Sequence, residues 1–458
     1  MTWPYQSLHA IIYDLSEPPP PGNWGNANGG ATGESKGTAM SAKIVGITAR
    51  EILAARANLC LEVTVTTDDG SVGKATPEAG VSTGSFEAAM MLDGGERYGG
   101  MGVRRAARNV CEIARTLIGM EVTGQRAVDT AMIALDGTAN KSRFGANAIV
   151  GISIAVAKAA AQSSGLPLYQ YLGGPNACTL PMPIVGIGTG GRYRDPGSSR
   201  WFKPSYEYIA YGAGGCADAM YVCWQLRQAL SQTMGERYGS RVGGYGRLND
   251  LGGVLKHDSE LLEAMTAAIV RSGHEGKVGI YFDAAADCYY ERDIDRYVGI
   301  FSEGEKTREQ MIAQYKEFVA NYPIVSIEDP LHESDLEGHA LVTRELGIEV
   351  VGDDLFTTNI GRLKEGIAMG AGNSMVLKIT QVGTVSEAMD AAQTALRNGY
   401  NVHPCGSRGD VDSIADFAVA LNAGQVRAVD YNRLLSIEEE LGAAAVWPGK
   451  GLFKGSRR

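Results

Sequence analysis

Glu328, Asp353, Lys378 and His403 stand 25 residues apart, and each falls in or at the end of a short apolar run. The runs are IVSIED (324–329), EVVGDD (349–354), SMVLK (374–378) and NVHPC (401–405). A fifth run, VGIYFD (278–283), ends on Asp283. Carboxylates brought together from three such runs repel one another unless a cation neutralises them. An all-oxygen set of Asp283, Glu328 and Asp353 suits a hard divalent ion, Mg2+ rather than Zn2+. Any one of the three, taken singly, reads better as a helix cap; three on successive elements favour the metal. Lys378, half-buried beside that cation, is expected to have a lowered pKa. It would then suit a general base that removes a proton next to a carboxylate, in preference to the alternative of a structural partner for Asp353 or Glu328.

The elements that must position these groups follow from the spacing. One strand, a loop, a three-turn helix and a return loop occupy about 25 residues. Polar residues recurring at that interval sit at the C-terminal ends of parallel strands, the face on which (β/α)8 barrels carry their sites. Amphipathic helices are expected near 307–320, 335–345, 360–369, 384–397 and 412–422. The pattern before residue 176 is different. LEVTVTT alternates like a half-buried strand, and a DDG turn follows at Asp68–Gly70. Residues 102–173 read as helical, including the small-residue run GANAIVGISIAVAKAAAQSSG, which should be buried. The expected plan is a disordered Pro/Gly/Ser/Asn-rich leader over 1–40, an α+β unit over 41–175 and a barrel over 176–458. The leader is either a native tail or precedes a true start at Met40, and the sequence leaves both open.

Composition narrows the function. Forty-two Lys+Arg against 52 Asp+Glu give a net charge of −10 over 458 residues, which disfavours a nucleic-acid binder. An anionic substrate would then need local positive charge. Seven Cys with no CxxC read as free thiols, and with no secretory signal this points to the reducing cytoplasm. No run of 18 apolar residues predicts a membrane span.

Several segments together resemble enolase over about residues 41–441: TAREIL (48–53), GVSTGSFEA (80–88), DGTANKSRFGANAIVGISIAVAKAAA (136–161), YPIVSIEDP (322–330), VVGDDLFTTN (350–359), LKITQVGT (377–384) and IEEELG (437–442). The resemblance implies an α/β protein with an α+β cap followed by a modified (β/α)8 TIM barrel. It carries the metal ligands onto Asp283, Glu328 and Asp353, and the base onto Lys378. Ser82 matches the serine that holds a second Mg2+ once substrate closes the site, with Gly80 and Gly84 as hinges of that loop. Glu207 matches the acidic residue near the substrate-side water. A small anionic substrate and a homodimer or higher homo-oligomer are also implied.

The departures lie in the other half of the site. Enolase has Asp-Glu-Gly-Gly where this chain has Asp250-Leu251-Gly252-Gly253, so the acid that protonates the leaving hydroxide is absent. Gly190-Gly191-Arg192-Tyr193 lacks the loop histidine, HPCGSRG (403–409) displaces the phosphate-binding Arg and Ser, and Arg427 replaces a lysine. The catalytic set expected is Lys378, Glu207, Asp250 and Arg427, with Arg192, Tyr193, His403, Ser407 and Arg408 binding substrate. Cys405 is a further candidate pocket-lining residue, and His332 is the histidine outside this set that merits a test. The added Arg192, Arg194, Arg200, Lys203 and Arg408 would suit a substrate with an extra anionic group. The expectation is a Mg2+-dependent enzyme acting on a phosphorylated three-carbon acid. Its best specific form is carboxyphosphonoenolpyruvate synthase chemistry of a phosphinothricin-type pathway. One alternative is a divergent phosphopyruvate hydratase, the other a non-catalytic binding protein of the same fold.

Overall fold

The computed structural model describes residues 42–54, 59–78, 84–191, 193, 203–239, 254–408 and 411–455. The alternating N-terminal segments form a three-stranded antiparallel sheet in the order β1 (Ile44–Leu53), β2 (Leu59–Thr67), β3 (Val72–Ala75). The DDG sequence makes the β2–β3 turn: Gly70, at φ 86°, occupies the left-handed region that glycine tolerates. Four helices follow, α1 (Arg104–Leu117), α2 (Gln125–Asp136), α3 (Ala146–Ser163) and α4 (Leu168–Gly173). The small residues of α3 let it press on the sheet; a Cβ on Gly73 of β3 would stand 1.9 Å from the Ala155 carbonyl oxygen. By length and hydropathy α3 could cross a membrane, but 83% of it is buried within this fold, as a core helix is.

The second half is an eight-stranded sheet with the order β13-β12-β11-β10-β6-β5-β4-β14. Its strands are β4 (Met182–Thr189), β5 (Ser205–Ile209), β6 (Gly279–Asp283), β10 (Ile324–Glu328), β11 (Glu349–Gly352), β12 (Ser374–Leu377), β13 (Asn401–Pro404) and β14 (Gln425–Arg427). Bridges Val402–Gly424 and Cys405–Arg427 join β13 to β14, so the sheet closes into a barrel. β5 runs antiparallel to β4 and β6, the one described departure from an all-parallel wall. A small antiparallel sheet of β7 (Tyr290–Glu291), β8 (Arg296–Val298) and β9 (Glu305–Lys306) follows β6.

The outer helices are α5 (Cys216–Tyr238), α6 (Ser259–Arg271), α7 (Arg308–Asn321), α8 (Leu336–Leu346), α9 (Ile360–Met369), α10 (Ile379–Val382), α11 (Val385–Arg397), α12 (Val411–Ala420) and α13 (Tyr431–Leu441). Their starts are set by sequence. Thr307 and Gln310 form a capping box on α7, and Asp335, Asn359, Thr384 and Asp430 cap α8, α9, α11 and α13 through their side chains. Inside the barrel, Met182, Ile184, Ile209, Tyr211, Tyr281, Val351, Val376 and Cys405 pack into one apolar layer beneath the mouth. The helical unit docks on the barrel through buried polar contacts. Asp129 accepts the Ser386 N–H at 3.0 Å and the Ser153 hydroxyl at 2.7 Å, which ties α2 and α3 to the start of α11.

Candidate active site

The barrel mouth gathers the chemistry-bearing residues from six strands. β6 ends on Asp283 and β10 on Glu328, while Asp353 and Lys378 directly follow β11 and β12. All four side chains are buried. Asp329 sets the presentation of Asp353. At φ 42°, its carboxylate accepts the backbone N–H groups of Asp353 (3.0 Å), Asp354 (2.8 Å) and Leu355 (3.3 Å). Asp353 is then bracketed by the Lys378 ammonium on one oxygen and the Gln381 amide at 2.8 Å on the other.

Arg427, on β14, faces the second group of carboxylates. Its Nη1 donates to Asp283 Oδ2 at 2.9 Å and to Glu328 Oε2 at 2.8 Å; its Nη2 donates to Glu207 Oε1 and Ser205 Oγ, each at 2.8 Å. Tyr281 donates its hydroxyl to Glu328, and the Lys203 ammonium also meets Asp283 Oδ2.

The oxygens left over fit a cation. Asp283 Oδ1, Glu328 Oε1 and Glu207 Oε2 are buried and have no hydrogen-bond partner among the described residues. Glu328, Asp329 and Asp353 each place an oxygen within 4.8 Å of the others. Orphaned, converging, all-oxygen donors are what a hard divalent ion takes. Of the three expected ligands, Asp283 and Glu328 leave an oxygen unpartnered, whereas both Asp353 oxygens are taken by Lys378 and Gln381, and those of Asp329 by backbone N–H groups. Asp283 stands outside the tight group, drawn to Arg427 and Lys203.

The charges couple strongly. Burial drives the Asp329 carboxyl well above its ordinary pKa, and the neighbouring Asp354 and Asp353 add to the rise. Burial and the Asp353 charge likewise push Asp354 up to about 7. Burial alone would raise Asp353, but Lys378 and Arg408 more than offset it and hold that carboxyl below the usual range. The sequence pointed to a lowered pKa for Lys378. In the structure burial does pull it down, yet direct contact with Asp353 outweighs this and the ammonium is held above its ordinary value. The reason is that the carboxylate itself is the nearest charge.

With this geometry in place, comparison with known proteins adds the ancestry. The family profile described as the enolase C-terminal TIM barrel domain matches residues 177–456, and that of the enolase N-terminal domain matches residues 44–172. The chain belongs to the enolase family. It is 44% identical to a protein named enolase from Thermococcus gammatolerans over 425 residues, which span 89% of this chain and 97% of that relative. Proteins of the same name from Methanopyrus kandleri and Pyrococcus furiosus are each 44% identical over 429 residues, 90% of this chain and 99% and 98% of theirs.

Within this enolase fold the expected site residues divide. Lys378, Glu207, Arg427, Asp283, Glu328 and Asp353 converge. Ser82, Arg192 and Asp250 lie outside the described residues, as do Gly80, Arg194, Arg200 and Leu251. Gly84 has a packing role: a Cβ there would stand 2.8 Å from Thr357 Cγ2 and 3.3 Å from Asp354 Oδ1. Tyr193 does not face the carboxylates; its hydroxyl donates to Asp258 Oδ1 at 2.8 Å. Arg408 turns to the N-terminal unit and pairs through both guanidinium nitrogens with Glu87. Ser407 follows Cys405 at the end of the β13 edge, half-buried, and Cys405 is buried in the interior layer. His403 is inside the barrel, 3.3 Å from Glu349, rather than at the mouth. His332 stacks on Tyr290 with ring centroids 4.1 Å apart, away from the carboxylate cluster. Sequence reading missed Asp329, Gln381, Tyr281 and the position of Lys203. The double acidic pair Asp353-Asp354 beside Glu328-Asp329 was the one available signal for the first of these.

Proposed function

We propose that this chain is a Mg2+-dependent phosphopyruvate hydratase, which interconverts 2-phosphoglycerate and phosphoenolpyruvate. The observation that carries the reading is Lys378 against Asp353, beside orphaned oxygens of Asp283 and Glu328, in a chain 44% identical to proteins named enolase. When bound, Mg2+ supplies the positive charge that stabilises negative charge developing on the substrate carboxylate. Asp283, Glu328 and Asp353 would hold it, with Ser82 for a second ion. Lys378 takes the proton from the carbon next to the carboxylate. Release of Lys378 from Asp353 is what makes it a base, since the contact holds the ammonium charged. Glu207 keeps Oε2 unpartnered while Arg427 fixes Oε1, so it can accept a hydrogen bond from the substrate hydroxyl that departs and orient it.

The substrate is a small phosphorylated acid, the assembly a homodimer or higher homo-oligomer, and the setting the cytoplasm; family membership supports all three. The carboxyphosphonoenolpyruvate synthase reading stands second. It rests on Leu251 and on the extra cation Lys203, and the names of the relatives support the hydratase instead. The deciding experiment follows ultraviolet absorbance of phosphoenolpyruvate formed from 2-phosphoglycerate with Mg2+. Turnover comparable to that of an ordinary enolase establishes the hydratase. Lys378-dependent exchange of the α-proton in deuterated water without dehydration would overturn it and turn attention to phosphonate substrates.

A further inference from the structure

Two cations compete for one oxygen. Asp283 Oδ2 is met by Arg427 Nη1 and by Lys203 Nζ, while Asp283 Oδ1 is buried without a partner among the described residues. The two cations are held differently. Arg427 is built into the barrel wall on β14 and spreads four hydrogen bonds over Asp283, Glu328, Glu207 and Ser205. Among the described residues Lys203 forms one ion pair, with Asp283, at the end of a flexible four-carbon stem. Its backbone, however, is fixed: the Tyr289 hydroxyl donates to the Lys203 carbonyl, and the next residue, Pro204, accepts the Gly190 N–H at 2.8 Å. Its side chain is 19% exposed against 1% for Asp283, so the stem runs from the mouth to the carboxylate.

We propose that Lys203 is an exchangeable cation that holds the place of the divalent ion on Asp283 and, once displaced, binds an anionic group of the substrate. A divalent ion on Asp283 Oδ1 would stand on the same carboxylate as the ammonium on Oδ2, and two cations that close repel. Arg427 is tied by four bonds, so the singly held Lys203 is the one to leave. Its anchored backbone keeps the freed ammonium at the mouth, where a phosphate or carboxylate of the substrate is its natural partner. Metal entry and substrate recognition are thereby linked through one side chain. The inference rests on the metal reading of the carboxylates given above.

The test is calorimetric titration of Mg2+ into the wild-type chain, Lys203→Met and Lys203→Gln, with thermal melts to show that each variant is folded; the Gln variant carries the test where the Met variant does not fold. Removing the competing cation should tighten Mg2+ binding about ten-fold, within the range of ordinary site-to-site coupling. At saturating Mg2+, KM for 2-phosphoglycerate should rise about ten-fold, with a smaller effect on kcat. Unchanged or weaker Mg2+ binding in both variants overturns the proposal and leaves the metal site standing. Absence of Mg2+ binding in the wild type as well removes the metal reading, and this inference with it.

Discussion

His403 Nε2 lies 3.3 Å from Glu349 Oε2, inside the barrel and below the mouth. Glu349 opens β11 and also accepts Asn401 Nδ2 at 2.6 Å and Gln425 Nε2 at 3.1 Å. Burial pushes the Glu349 carboxyl up, but His403 and these amides outweigh it and the carboxyl sits below its ordinary 4.5. A depressed folded value means that the stabilisation is fully present above the unfolded pKa and is lost as pH falls through the folded one. Stability should therefore decline as the medium is acidified below about pH 4.5, and less so in Glu349→Gln. His403→Leu removes one neighbour of a buried carboxylate that Asn401 and Gln425 still satisfy and should cost about 1 kcal/mol in urea unfolding at neutral pH. The double variant Glu349→Gln/His403→Leu should lose less than the sum of the two single ones; strict additivity would show that the contact carries no energy.

Asp258 gives a trend of opposite sign. It is buried and accepts Gly191 N–H, Tyr193 Oη and Tyr206 Oη, each at 2.8 Å. Burial raises its carboxyl to about 6 even though those three donors favour the charged form. With the folded value above the unfolded 3.8, the native state holds the extra proton between them, and stability falls as pH rises from about 4 to about 6. The change is on the order of 3 kcal/mol. Asp258→Asn should flatten that slope in chemical denaturation measured across this range. Tyr193→Phe removes one donor and should cost about 1 kcal/mol. A slope of the same size in Asp258→Asn would place its origin elsewhere.

Why the sequence located some of these groups and not others is visible in the strand starts. β10, β11 and β12 begin at Ile324, Glu349 and Ser374, so 349−324 and 374−349 are both 25. In register Glu328 lies opposite Val351 and Gly352 opposite Met375, so each 25-residue step advances two residues along the wall, which carries Asp353 and Lys378 just past their strand ends at the mouth. β13 begins at Asn401, and 401−374 is 27. His403, 25 residues after Lys378, thus lands opposite Val376, two residues lower in the wall. The numerical repeat continued while the geometric one had shifted. Barrel strands and helix starts were legible because each follows from local periodicity and capping. Lys203 on Asp283, Arg408 on Glu87 and Tyr193 on Asp258 were not, because each joins a loop residue to one far away in the chain, and no periodicity encodes such a pairing.

Arg427 is the next quantity to test. It is the cation that Asp283, Glu328 and Glu207 share, and its guanidinium is held well above its ordinary pKa; burial opposes the charge, and Glu207 and Glu328 overcome it. Arg427→Met leaves three buried carboxylates with less compensation, at a cost of about 3 kcal/mol. Millimolar Mg2+ should recover part of that loss, because a divalent ion on Asp283 and Glu328 does the same neutralising work. Thermal melts with and without Mg2+ measure this. Arg427→Lys keeps the charge but not the fork that spans three acids, so its loss should be intermediate. Equal destabilisation with and without the metal would mean that Arg427 and the ion do not act on the same carboxylates.

Lys378 carries the most direct chemical prediction. Lys378→Ala removes the only described amine in contact with Asp353, and exchange of the substrate α-proton in deuterated water should fall by about 10²–10⁴-fold. Nuclear magnetic resonance of 2-phosphoglycerate reads that exchange independently of dehydration. Stability needs a separate control, because Asp353 loses its ion-pair partner in the same variant. Lys378→Gln retains a hydrogen-bond donor toward Asp353 and should melt closer to the wild type. If the two variants lose exchange equally while only Lys378→Ala loses stability, the exchange defect belongs to proton transfer and the melting defect to the lost partner. Exchange that survives in Lys378→Gln would show that another group takes the proton, and that the Lys378–Asp353 pair is only structural.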